Sequence, residues 1–456
     1  MRIKLFSIIF CISIVSVAFS QSIDGYWEGT VSLPGNTSLR IGFSISQKDS
    51  LHVEMDSPDQ YVTGIATQNV SFQDSILKIG IPSINASFNG RLTAEGDISG
   101  TFRQGMKLPL TLTRGHERLV LSRPQTPQEP FPYLTEDLVF KSRDNKYDLI
   151  NGTLTLPEDG KPTALYILIS GSGWQNRDED ILGHKPFAVI ADHLTRNKAA
   201  AVFRYDDYPA SLFAKSTTLD FADGVQLIID SLSLRPELAG VPITLIGHSE
   251  GSLVAYIAAS KDNRISKIIT LGGVAQPIRK VLNYQIRAIA VAENQYSPDE
   301  INLTASISDK LYKAVEKSKT REQATKRIAK ILDKESAKLS LEEQQRYNLT
   351  PTNKLSTIQQ LCSPWFFTLF HLNPKDYITQ LHCPIFAING EKDLQVEAEA
   401  NQFLMRQYLP KDQKFSAYKV PNANHLLQPC TSGAPDEYGK IETTILPEVL
   451  QKIAEF

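Results

Sequence analysis

The chain has 456 residues, 41% of them apolar and 21% charged, with 48 basic against 50 acidic side chains. That length and apolar share allow two or three globular domains with sizeable cores. The near-neutral balance leaves no basic footprint for nucleic acid, and no Lys/Arg run marks an anionic membrane surface.

In chain order, the first expected element is an export signal over residues 1–20. Arg2 and Lys4 precede an apolar stretch from Leu5 to Ala18, and Ala18-Phe19-Ser20 supplies small residues for cleavage before Gln21. Losing Arg2 and Lys4 takes the net charge from −2 to −4. Phe10 stands where a lipoprotein signal needs a small residue before Cys11. No later stretch is apolar over the length that a membrane span requires. The chain is therefore expected to be secreted or periplasmic. The mature part keeps Cys362, Cys383 and Cys430, so at most one disulfide can form within it. No C-x-x-C or Cys/His metal spacing occurs, and neither a metal nor an organic cofactor is expected.

Residues 21–115 read as a small all-β domain. Runs at 39–45, 52–55, 75–79, 86–90 and 97–102 alternate apolar and polar residues between Gly, Asn and Asp, as in an antiparallel sheet or barrel. This part shows no catalytic constellation. Residues 116–135, with Pro124, Pro127, Pro130 and Pro132, read as a stiff linker. From residue 136 to 456 the pattern changes to buried apolar runs alternating with helices, which implies a largely parallel sheet. Strands are expected at 136–141, 149–155, 163–170, 199–204, 241–247, 266–272, 384–389 and 415–420.

The third of these strands runs into Ser170-Gly171-Ser172-Gly173-Trp174, a glycine loop that lets backbone approach a ligand closely. The fifth, Ile243 to Ile246, runs into Gly247-His248-Ser249-Glu250-Gly251 and then a small-residue helix. G-x-S-x-G at such a bend is the nucleophile elbow of an α/β-hydrolase, with Ser249 as nucleophile. His248 precedes it and is expected to point away. Between the sixth and seventh strands, residues 275–380 form a charged helical insertion, expected as a cap. Its aromatic stretch includes Trp365 and Phe366, which serve either as core or as pocket lining.

A serine nucleophile needs an imidazole base, and the base needs a carboxylate. Strand seven runs into Gly390-Glu391-Lys392-Asp393, which places Asp393 in the turn where the acid belongs, with Glu391 as its competitor. Strand eight is followed by Pro421-Asn422-Ala423-Asn424-His425, and His425 alone of the eight histidines follows the acid. The tetrahedral intermediate needs two backbone donors. One is the amide of Glu250; the other is assigned to Ser172, with Gly173 as the alternative.

With these residues in place, the chain resembles the secreted bacterial α/β-hydrolases of the EstD-like carboxylesterase group over most of residues 130–456. Four segments carry the resemblance: Gly171-Ser172-Gly173 with Asn176-Arg177-Asp178-Glu179, the elbow, Asn389 to Val396, and Asn424 to Gln428. Ser363-Pro364-Trp365-Phe366 is similar to the group's cap. The resemblance implies hydrolysis of short acyl esters through Ser249, Asp393 and His425. The sequence departs from the group after strand four, where Arg204-Tyr205-Asp206-Asp207-Tyr208-Pro209-Ala210-Ser211 lacks the group's two glycines. Trp174 stands where the group has proline, and is expected to narrow the acyl site together with Trp365 and Phe366. The expected partner is a small-molecule ester. Rival readings are a thioesterase or peptidase with the same triad, and a non-catalytic binding protein on the same fold.

Overall fold

The computed structural model describes residues 22–33, 37–48, 50–115, 117–141 and 150–456. The expected export signal lies outside the described residues. The chain divides into two compact units, within residues 1–120 and 121–456.

The first unit is one antiparallel sheet. Its strands are β1 (Gly25–Leu33), β2 (Thr37–Ser46), β3 (His52–Ser57), β4 (Val62–Ala66), β5 (Gln68–Gln73), β6 (Ile76–Ile81), β7 (Ala86–Leu92), β8 (Ile98–Gln104) and β9 (Met106–Arg114). They are ordered β4-β3-β2-β1-β9-β8-β7-β6-β5. Alternation sends Trp27, Phe43, Phe88 and Phe102 to one buried face, where the Phe43 and Phe88 rings lie 5.6 Å apart. The five runs of the sequence analysis account for β2, β3, β6, β7 and β8; β1, β4, β5 and β9 add to them.

The second unit carries β10 (Leu134–Phe140), β11 (Ile150–Leu156), β12 (Leu165–Ile169), β13 (Ala201–Tyr205), β14 (Ile243–His248), β15 (Ile265–Leu271), β16 (Ile385–Gly390) and β17 (Phe415–Val420). Their order is β10-β11-β13-β12-β14-β15-β16-β17. The sheet is mixed: β11 pairs antiparallel with both β10 and β13, while the five remaining pairings are parallel. The parallel centre follows from its residues. Every residue of β12, β14 and β16 is buried, which suits strands covered on both faces. At the edge, β10 exposes Glu136 and Asp137.

The covering helices are α1 (Pro186–Lys198), α2 (Ala210–Phe213), α3 (Thr218–Leu232), α4 (Glu250–Ala259), α5 (Ile278–Glu293), α6 (Pro298–Glu316), α7 (Arg321–Ser336), α8 (Leu341–Arg346), α9 (Pro351–Leu361), α10 (Pro364–His371), α11 (Pro374–Ile378), α12 (Ala398–Tyr408) and α13 (Pro447–Glu455). All ten residues of α4 are buried, as expected of a helix that is apolar all round. Helices α5 to α11 form the insertion between β15 and β16, and part of it has its own core around Leu311, Val315, Ile328 and Phe370.

Of residues 116–135, expected as a stiff linker, those from 121 onward belong to the second unit and are fastened to it. Arg123 donates to the carbonyls of Leu182, Gly439 and Ile441, and Gln125 accepts from the amides of Thr444 and Ile445. Prolines keep the backbone from pairing as a strand, and the side chains on either side of Pro124 make the attachments. Cys362, Cys383 and Cys430 are free thiols. Among the described residues no helix is long and apolar enough to cross a membrane.

Candidate active site

The turn from β14 into α4 puts Ser249 at φ 51° and ψ −118°, a sparsely populated conformation that costs roughly 1–3 kcal/mol. The crossing is held by local bonds. Ser249 N donates to Leu271 O at 2.8 Å, and Ser252 Oγ donates to Ser249 O at 2.7 Å. It is also the reason for both glycines. A Cβ on Gly247 would lie 2.3 Å from Gly251 O, and one on Gly251 would lie 2.2 Å from Ile169 O.

Asp393 follows β16 and is 1% exposed. Its Oδ1 accepts the amides of Gln395 and Val396 at 2.9 and 2.8 Å, which leaves Oδ2 for His425 Nδ1 at 2.8 Å. Glu391 is elsewhere: its carboxylate accepts the Asn422 amide at 3.0 Å on the surface. The histidine loop is shaped by Asn424, whose Oδ1 accepts the amides of Leu426 and Gln428 and whose Nδ2 donates to Gln428 Oε1. Gly272 passes so close that a Cβ there would lie 2.8 Å from His425 Cε1.

Beyond β12 the chain is tied down by carboxylates. Glu179 Oε1 accepts the Gly171 amide at 2.7 Å and pairs with His248 Nδ1 at 2.8 Å. Asp178 pairs with Arg204, and Arg177 binds Asp206 and Asp137. Asp207 Oδ2 accepts the Gln175 amide at 2.7 Å. Burial first, and then the carboxylates of Glu250 and Glu179, push Asp207 up to about 7. The loop that lacks the group's glycines is thus packed from within, and Tyr208 is only 4% exposed.

Glu250, expected to contribute only its amide, has a buried carboxylate with three donors. Trp365 Nε1 reaches both oxygens at 2.9 and 3.0 Å, Thr218 Oγ1 donates to Oε1 at 2.8 Å, and Ser172 Oγ donates to Oε2 at 2.8 Å. Burial pushes its carboxyl above the usual range while these donors pull it down. One side chain therefore joins the elbow, the glycine loop, α3 and the inserted helix α10.

A cavity of about 330 Å³ brings these parts together. It is lined by Ser172, Ser249, Glu250 and His425, by Trp365 and Phe366 of α10, and by Ile278, Val281 and Leu282 of α5. Gln175, Gln276, Gln285 and Gln395 also line it, and no Lys or Arg does. Gly173 lies instead on a smaller cavity beside Asp207 and Tyr208, so the loop faces Ser249 with Ser172. Two expectations need correction. Trp174 does not line the Ser249 cavity: the residue is 53% exposed and its Nε1 donates to Tyr208 O at 3.1 Å, because the chain turns at Gly173 (φ 92°). His248 does not point away: it lines the cavity, and its ring centroid is 4.9 Å from that of His425. The partner that holds it there, Glu179, is 69 residues distant in sequence. Six consecutive polar residues, Gln175 to Asp180, directly after the glycine loop were the available signal. Among the described residues no group of three or more His, Cys, Asp or Glu side chains is placed to hold a metal.

No family model matches the chain. Over 158 residues, 32% of this chain, it is 24% identical to the esterase EstD of Thermotoga maritima, and the match spans 36% of that relative's length. Among solved structures it is similar to Est1E from Butyrivibrio proteoclasticus (14% identity, 70% of this chain and 96% of that one, TM-score 0.39). It is also similar to a dienelactone hydrolase from Anabaena variabilis (12% identity, 71% and 94%, TM-score 0.39).

Proposed function

We propose that this chain is a serine hydrolase of carboxylic esters built on an α/β-hydrolase core. The observation that carries the reading is the pairing of His425 Nδ1 with a buried Asp393 beside a cavity that also holds the strained Ser249. Ser249 attacks the ester carbonyl, and His425 takes its proton through the nitrogen opposite Asp393. Asp393 fixes the imidazole tautomer and stabilises the imidazolium. The oxyanion is met by the amides of Glu250, at the start of α4, and Ser172. Loss of the alcohol leaves an acyl-enzyme, which water activated by His425 hydrolyses. The same groups would serve a thioester or an amide; the resemblance to EstD favours the ester.

The lining narrows the substrate. Apolar residues of α5 and α10 suit a short acyl chain, and the four glutamines offer neutral hydrogen-bonding groups. With Glu179 and Glu250 in the wall and no Lys or Arg, a carboxylate on the substrate would be desolvated without a counter-ion. Uncharged short-chain esters are the expected class. We also propose that residues 1–20 direct export and are removed, so that N-terminal sequencing of the exported protein begins at Gln21. The function itself is tested with p-nitrophenyl acetate and butyrate. The chain should turn both over, and Ser249→Ala should lose roughly 10⁴-fold in kcat. Activity of that variant within about tenfold of the parent would refute the nucleophile.

A further inference from the structure

Glu179 and His248 stand outside the Ser249–His425–Asp393 series but touch the glycine loop and the segments that carry Ser249 and His425. Glu179 Oε1 holds the amide of Gly171, the residue before Ser172, and the Nδ1 of His248, the residue before Ser249. The other ring nitrogen of His248 lies 3.4 Å from the carbonyl oxygen of His425. The segments converge tightly: a Cβ on Gly171 would lie 3.2 Å from Ser249 Cβ, 3.3 Å from His248 Nδ1 and 3.4 Å from Glu179 Oε1. Glu179 is 1% and His248 7% exposed. A carboxylate this deep is costly unless it is paired and hydrogen-bonded, and here it is both.

We propose that Glu179 and His248 form a second acid–imidazole pair, a positioning pair, that sets the oxyanion loop and the His425 loop in register with Ser249. This rests on the esterase reading. A protonated His248 can donate from Nδ1 to Glu179 and from Nε2 to His425 O, whereas a neutral ring can donate only one of the two bonds. Although burial disfavours that charge, Glu179 beside it holds the imidazole above its usual range. The pair touches no reacting atom. Its effect is on where the oxyanion donor and the base stand, and misplacement by about 1 Å costs roughly 10²-fold in rate.

The test is steady-state kinetics on the full chain with p-nitrophenyl acetate for Glu179→Gln, His248→Gln and the double variant, with the melting temperature of each. Glu179→Gln keeps the shape and one acceptor but removes the charge. Each single variant is expected to lose roughly 10- to 100-fold in kcat with KM within about threefold. The double variant is expected to be no worse than the weaker single one, because the two residues act as a unit. Parental kcat with a lowered melting temperature would overturn the proposal, since it marks a purely structural role. So would losses that multiply in the double variant. If Glu179→Gln does not fold, Glu179→Asp keeps the charge but draws back from Gly171, and parental kcat there overturns the proposal as well. Turnover by the parent that does not depend on Ser249 overturns the esterase reading and this proposal together. Turnover that depends on Ser249 but survives all of these substitutions overturns this proposal alone.

Discussion

In the antiparallel unit the buried polar side chains among the described residues are Asp56 and Ser57, both at the end of β3. Asp56 is bound by Arg118 and the Gly64 amide, and Ser57 donates to Gln60. They brace a turn. In the mixed sheet, by contrast, Glu179, His248, Glu250, Asp393 and His425 are all buried where chain leaves or follows the carboxyl ends of β12, β14, β16 and β17. Strand direction accounts for the difference. Neighbouring parallel strands send their carboxyl ends, and the loops that follow, to one edge, where polar groups from distant parts of the sequence can converge. An antiparallel meander alternates its ends and gathers no such set.

The sharpest attack on this comparison is at its polar edge. Asp393→Asn should lose roughly 10⁴-fold in kcat while KM changes little, because the amide favours the wrong imidazole tautomer. Equal activity would mean that the buried carboxylate only braces its turn, as Asp56 does.

Next come the aromatics. Trp365 lines the cavity and donates to Glu250, whereas Trp174 does neither. Trp365→Ala should lower kcat/KM for acetate roughly tenfold and extend the range toward longer acyl chains, measured over a p-nitrophenyl ester series. Trp174→Ala should leave the chain-length profile unchanged. A profile that moves with Trp174 instead would put the acyl site on the other side of the glycine loop.

In the first unit, Asp56→Ala removes the acceptor of the Gly64 amide and leaves Arg118 with Glu54 as its remaining ion-pair partner, at a cost of about 2 kcal/mol. Thermal unfolding should show the loss, and ester turnover below the transition should not. A drop in kcat would show that the two units are coupled.

The smallest effect is a pH dependence. Folded, Asp207 titrates at about 7; unfolded, it returns to the ordinary carboxylate range. Between the two values the folded chain holds a proton that the unfolded chain has released, so stability falls as pH rises toward 7. Asp207→Asn removes that penalty and keeps an acceptor for the Gln175 amide. Its melting temperature should exceed the parent's by more at pH 8 than at pH 5. An equal difference at both would remove the buried carboxylate from the account.

Legibility in the sequence followed locality. Ser249, Asp393 and His425 are each readable because each sits just beyond the carboxyl end of an expected strand, and the structure brings them to one cavity or one hydrogen bond. The central strands of the mixed sheet, β12, β14 and β16, are buried apolar runs and equally plain, whereas the outer β10 and β17 carry exposed polar residues. Four strands of the first unit were not plain. β4 and β5 are short and half-exposed, and β9 carries Pro109, a residue that argues against a strand interior. The direction of His248 was misread because Ser249, at positive φ, breaks the strand alternation at that step. The placement of Trp174 depended on the turn at Gly173, which composition does not reveal. The roles of Glu179 and of the Glu250 side chain depend on partners remote in sequence, His248 for the first and Trp365, Thr218 and Ser172 for the second.

The central claim is that Ser249 is the nucleophile at that polar edge. It is tested most directly by treating the full chain with p-nitrophenyl diethyl phosphate and mapping the adduct by peptide mass spectrometry. The account predicts one diethyl phosphoryl group per chain on the peptide containing Ser249, loss of ester turnover in proportion to labelling, and no label in Ser249→Ala. A label on any other residue, or full turnover by a chain already labelled at Ser249, would contradict it.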